Sequence, residues 1–130
     1  MLRTVIGIII ISHGLIHLWL LSLSLQLVPF KPEMGWNGKS WAFTNLLGDS
    51  ATRLVASALF VLTTIGFAAG GIGLIGEQEW YSPVLLGTAA VSAMTLLLFW
   101  DGGLNLIVEK GLIGFLIDAA VVAGLLFAVL

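Results

Sequence analysis

Four long apolar runs, separated by short polar stretches, organise this chain. They cover roughly residues 4–28, 51–76, 81–100 and 111–130. None alternates with the period of two that marks a half-buried strand, and each exceeds the usual strand length of about 4–8 residues. About 20 consecutive apolar residues carry a helix across the hydrocarbon core of a bilayer. In lipid a lone span can satisfy its own backbone hydrogen bonds only as a helix. The pattern therefore predicts an all-α fold: a polytopic integral membrane protein, a four-helix transmembrane bundle forming one domain over residues 1–130.

The polar stretches fit that division. Pro29 and Pro32 follow the first run, and Asp49 and Ser50 offer N-caps before the second. Glu77, Gln78 and Glu79 separate the second run from the third, with Trp80 and Tyr81 placed like an interfacial aromatic belt. Pro83 falls in the first turn of the third helix, where its missing N–H does no harm. Trp100 and Asp101 close that helix, and residues 101–110 form a short, partly apolar connection at the interface. Residues 29–50 make up the long loop. Its Trp36, Trp41 and Phe43 stand among Lys31 and Lys39, which reads as an interfacial loop anchored by tryptophan. The alternative is a lid or re-entrant segment over a cavity.

Composition agrees. Hydrophobic residues make up 59 % of the 130 residues and charged residues 9 %, against about 25 % charged in a soluble domain. The formal net charge of −2 supplies no basic field for nucleic acid. With no cysteine in the chain, disulfides, thiolate nucleophiles and cysteine-ligated metals are excluded. The first run is too long for the apolar region of a cleavable signal peptide, so a retained helix is expected. Four spans put both termini and the Glu77 loop on one side, which carries Arg3; the other side carries Lys31, Lys39, Arg53 and Lys110. The positive-inside rule then places the protein in the cell membrane with both termini outside.

Small residues line one face of the second run: Ala56, Thr63, Gly66, Gly70 and Gly73, with Gly66–Gly70 a literal GxxxG. Such faces permit close helix approach, either within the bundle, which is the favoured reading, or between two copies. Gly7 and Gly14 in the first run, and Gly111 and Gly114 in the fourth, read the same way.

Ionisable groups at membrane depth are costly and point to function. Three qualify: His13, His17 and Asp118. The histidines are four residues apart and share a helix face. At 1.5 Å per residue, His17 lies about 20 Å from the start of the first span and Asp118 about 18 Å from the end of the fourth, on the same side. If the first and fourth helices are neighbours, a His17–Asp118 contact near the midplane is geometrically allowed, and it would hold the imidazole in one tautomer. Metal ligation is not expected, because Asp101, Asn105 and Glu109 stand too far off in depth to complete a shell. A bis-histidine haem is disfavoured, since both imidazoles leave one helix face. The Trp100-Asp101-Gly102-Gly103 turn is read first as a plain interfacial stop, with Trp100 and Asp101 as further ligand-binding candidates at a cavity mouth. No phosphate loop, GxSxG elbow or basic–aromatic strip is present.

His13-Gly14-Leu15-Ile16-His17 in the first span, Trp100-Asp101 ending the third, and the stretch from Gly111 to Asp118 opening the fourth resemble small four-helix membrane proteins of the DoxX-like family. The resemblance covers most of the chain through short, hydrophobic motifs. It implies a membrane subunit of a quinone-reducing enzyme.

The expected function is a small membrane subunit within a larger complex or oligomer. His13, His17 and Asp118 would bind a quinone or other lipid-phase ligand, orienting its polar head or passing a proton. The expected partners are the lipid bilayer and other membrane subunits or a second copy, with no nucleic acid. Two rivals stay open. One is an enzyme on a lipid-phase substrate, an isomerase or quinone-linked oxidoreductase. The other is a small proton-linked transporter or channel.

Overall fold

The computed structural model describes residues 1–128 and 130. Among them all regular structure is helical: α1 (Leu2–Ser24), α2 (Thr44–Ile75), α3 (Tyr81–Leu98) and α4 (Ile113–Leu126). A 3-10 turn at Pro32–Met34 lies in the first loop, and a π-type turn at Val108–Leu112 leads into α4. The helices run up and down in chain order. α1 packs on α2, α2 on α3 and α3 on α4, while α1 and α4 share only a marginal seam.

α1, α2 and α3 are long and apolar enough to cross a membrane. α4 has 14 residues, about 21 Å of helix against about 30 Å of hydrocarbon. Large apolar side chains cover the outward faces, among them Ile8, Ile16, Leu62, Ile65, Ile72 and Leu116. An apolar exterior of this extent is compatible with a membrane-embedded protein.

The helix boundaries depart from the sequence expectations in three places. α1 ends at Ser24 rather than near Val28, because Gln26 takes a left-handed conformation, φ 56°, and the amides of Leu25 and Leu27 close the helix on the carbonyls of Leu21 and Ser22. α2 begins at Thr44, seven residues before Ala51, but is broken at Gly48, whose φ 79° and ψ 169° only glycine adopts readily. A short helical piece thus precedes the long straight part. The fourth run is helical only over Ile113–Leu126; its end folds back through Ala128 at φ 54°, and the Leu130 amide bonds the Gly124 carbonyl. Val129, in the expected fourth span, lies outside the described residues.

The glycine faces pack inside the bundle. A Cβ on Gly66 would strike Thr88 and one on Gly70 would strike Leu85, both on α3. Gly7 and Gly71 face each other across α1 and α2: a Cβ on either would meet the other's carbonyl oxygen at 2.9 Å. Backbones approach this closely only where side chains are absent.

The long loop is not a surface strap. Trp36 is 2 % exposed and stands edge-on to Phe60 of α2, 5.5 Å between centroids. This corrects its placement as an interfacial anchor: its indole is in the core, while Trp41 stays exposed. Four successive carbonyls at the end of α3 take their hydrogen bonds from this loop. The Trp41 indole donates to Leu97 O (2.8 Å), the Ser40 hydroxyl to Leu98 O, the Trp36 indole to Phe99 O (2.8 Å) and the Trp41 amide to Trp100 O (2.8 Å). A helix end leaves its last carbonyls without partners. Here the loop supplies them.

Candidate functional site

α1 buries Gly7, Ile10, His13, Gly14, His17, Leu20, Leu23 and Ser24. The three- and four-residue spacing defines one inward stripe, and both histidines fall on it. Gly14 lets α2 press against this stripe, since a Cβ there would lie 2.7 Å from Phe67 Cβ. The Phe67 ring consequently packs beside both imidazoles, at 4.9 Å from His13 and 5.8 Å from His17. From the opposite side α4 contributes Asp118, which is fully buried.

The sequence-predicted trio is brought together, with the histidine roles exchanged. His13 Nε2 meets Asp118 Oδ1 at 2.8 Å, whereas the depth count from the sequence matches the acid to His17. His17 instead donates from Nδ1 to the His13 carbonyl (3.1 Å) and faces the Ser92 hydroxyl of α3 with Nε2 (2.8 Å). The helix ends explain the exchange. Measured from Leu2 and Leu126, His13 and Asp118 lie about 16 Å and about 12 Å deep, and His17 about 22 Å. Losing four residues from the end of the fourth helix moves the acid one turn toward His13.

These contacts fix the proton positions on His17. A carbonyl can only accept, so Nδ1 carries hydrogen, and the neutral ring accepts at Nε2 from the Ser92 hydroxyl. His17 is thereby fully partnered. The His13–Asp118 pair is not: His13 Nδ1 and Asp118 Oδ2 are buried without hydrogen-bond partners. The third such atom, Thr52 Oγ1, has a local cause. Its usual acceptor four residues back is Gly48, where the helix is broken. No comparable local cause applies to His13 and Asp118.

A cavity of about 250 Å³ adjoins the pair. His13, His17 and Trp19 of α1, Leu96 of α3, and Gly114 and Ile117 of α4 contribute to its wall, with Glu109 at the turn into α4. It follows the seam where α1 and α4 stand apart, and its rim residues Ile16 and Ile113 are exposed. The chamber is apolar apart from the imidazoles and Glu109, and it opens sideways between two apolar helix faces.

Such an arrangement can accept a polar group carried on an apolar body. One ring nitrogen and one carboxylate oxygen are left to satisfy, and a buried unpartnered polar atom costs about 1–3 kcal/mol. The same three residues meet the geometric requirement for a metal: a ligand atom from each of His13, His17 and Asp118 lies within 4.8 Å of the others. Glu109, expected to stand too far off in depth to complete a shell, lines the same cavity as the two histidines.

Trp100 and Asp101 stand apart from this trio. Asp101 pairs with Lys110 at 2.9 Å and accepts the Gly103 amide, and the Trp100 indole donates to Gly103 O (2.8 Å). They tie α3 to the turn before α4, and Trp100 borders a separate apolar crevice with Leu104 and Phe115. Sequence reasoning missed the aromatic bed of Phe60 and Phe67 under the imidazoles. Its only trace in the sequence is their seven-residue spacing, two turns along one face of α2.

No protein-family model, curated protein or solved structure matches the chain.

Proposed function

We propose that this is a multi-pass membrane protein whose four helices lie within the bilayer, and that the cavity between α1 and α4 binds a lipid-phase molecule by its polar head. A quinone, with carbonyl oxygens on an apolar ring and tail, has the required chemistry. One observation carries this: the buried His13–Asp118 pair adjoins an apolar, laterally open cavity and keeps one nitrogen and one oxygen unpartnered. His13 would meet the head group's oxygen through its unpartnered ring nitrogen, Asp118 would hold that imidazole in place, and His17, fully partnered by Ser92 and the His13 carbonyl, would pack beside it. The tail would leave through the seam into hydrocarbon.

The likeness of His13-Gly14-Leu15-Ile16-His17 to the DoxX-like family points the same way. Most of the chain lies in the four helices, so a soluble substrate would meet mainly the connecting loops. A subunit of a larger membrane complex fits better than a stand-alone enzyme, with both termini on the outer side by the Lys and Arg bias. The test is mass spectrometry of the organic extract from protein purified in mild detergent. A stoichiometric quinone or similar lipid, retained by wild type and lost from Asp118→Asn, is the expected result. Its presence in both at equal amount contradicts the assignment.

One observation favours a second reading, a divalent metal at His13, His17 and Asp118. The ligand atoms are close, and His17 already donates Nδ1–H to a carbonyl, as metal-ligating histidines commonly do. Elemental analysis of the same protein separates the two: a metal in a one-to-one ratio, removed by His17→Ala, supports this reading over the first.

A further inference from the structure

Arg53 stands at the other end of the bundle, in the first turns of α2 after the Gly48 break. Its guanidinium is half-buried under the long loop. Nη2 donates to Asn37 O (2.8 Å) and Nη1 to Leu23 O (3.3 Å), and Gly38 lies directly against the guanidinium group. A guanidinium carries five N–H donors and a permanent charge. Among the described residues no carboxylate pairs with it: the ion pairs found are His13–Asp118 and Lys110–Asp101. The Leu23 carbonyl belongs to the end of α1, where the helix dipole is negative, so part of the charge is offset. The charge is not neutralised, and donors remain unspent.

Beside the guanidinium lies a cavity of about 410 Å³, lined by Leu27, Val28, Pro29 and Phe30 together with Gln26 and Asn37. Leu27 is 70 % exposed and Phe30 49 %. The chamber therefore has a cationic, amide-bearing end and an apolar lip. Lys31 follows directly and is exposed. This end lies where α1 leaves the apolar run and the polar loop begins, the level of lipid headgroups if the helices are embedded.

We infer that this cavity binds the phosphate of an anionic membrane lipid, with Arg53 as its charged contact and the Leu27–Phe30 lip against the acyl chains. Guanidinium and phosphate match in shape and charge and pair through two parallel hydrogen bonds. The chemistry of a phosphate ester is shared by free phosphate, but the apolar lip fits only the lipid. The site needs the helices to be in a bilayer and is independent of His13 and Asp118.

The test uses the full chain in non-ionic detergent. Phosphatidylglycerol, phosphatidylcholine or inorganic phosphate is added, and native mass spectrometry and thermal unfolding are read together. Phosphatidylglycerol should stay bound and raise the unfolding temperature, phosphatidylcholine less, and inorganic phosphate should have no effect. Arg53→Gln should weaken phosphatidylglycerol binding about tenfold or more, the loss of a charged hydrogen-bonded pair. Because Arg53 also holds the loop, Leu27→Glu serves as a second variant: the exposed position tolerates it, and its charge should repel the phosphate while the loop stays in place. Equal phosphatidylglycerol binding by wild type and Leu27→Glu overturns the proposal, as does stabilisation by inorganic phosphate matching that by the lipid. Loss of lipid binding here with the His13 ligand still bound, or the reverse, distinguishes the two sites.

Discussion

α3 runs past two regions that treat polar groups in opposite ways. Where α3 meets the long loop, four consecutive carbonyls from Leu97 to Trp100 each receive a donor, from Trp36, Ser40 or Trp41. Deeper in the bundle, at the His13–Asp118 pair, the principal bond is made and two atoms are left over. The first region is closed by the chain itself, as structural polar groups are. The second the chain itself leaves incomplete. The contrast separates a polar region that the fold completes from one that it does not, and the proposed binding site is the latter.

The strongest way to break this comparison is in the loop. Trp36→Ala removes a buried indole and a helix-end cap and should cost about 3–5 kcal/mol, read by denaturant unfolding in detergent. A loss below about 1 kcal/mol would mean the loop is dispensable, and the contrast would fail. At the central pair, Asp118→Ala alone leaves the His13 imidazole buried without its partner and should cost about 1–3 kcal/mol. The double variant His13→Leu/Asp118→Leu should instead unfold at or above the wild-type midpoint, because apolar side chains often replace a buried pair without loss. A double variant as unstable as Trp36→Ala would show that the pair holds the bundle together.

Smaller changes sharpen the picture. Gly14→Ala would press a methyl onto Phe67 and cost about 1–3 kcal/mol, visible in the same unfolding curves. Ser92→Ala should cost about 1 kcal/mol, the worth of one hydrogen bond, and weaken ligand binding less than His13→Ala, since Ser92 acts only through His17. Ser22, whose hydroxyl bonds the Trp19 carbonyl at 2.7 Å on the helix's own surface, serves as the control. Its alanine variant should stay within about 0.5 kcal/mol of wild type.

Much of this was legible in the chain. Apolar runs without alternation mark helices whatever their partners, and three of them emerged with the required length and hydropathy. His13, His17 and Asp118 stood out because charge in an apolar run has few explanations. Which histidine meets the acid was not legible: the choice turns on one helical turn, and the sequence did not reveal that α4 stops at Leu126. The Gly48 break hid the true start of α2 among residues that read as loop. Trp36 was misplaced for another reason. A tryptophan beside lysines looks the same whether its indole meets lipid headgroups or a carbonyl 56 to 63 residues away, and no local pattern records a long-range acceptor. Arg53 was counted only as a flanking charge, although its partners are the end of α1 and the loop.

The most direct measurement is a titration of purified wild type, His13→Ala and Asp118→Asn with a short-tailed benzoquinone, following tryptophan fluorescence, since Trp19 borders the cavity. Saturable quenching by wild type, with affinity lowered about tenfold or more in each variant, is predicted from the loss of a buried hydrogen-bonded contact. Identical curves for all three folded proteins would contradict it.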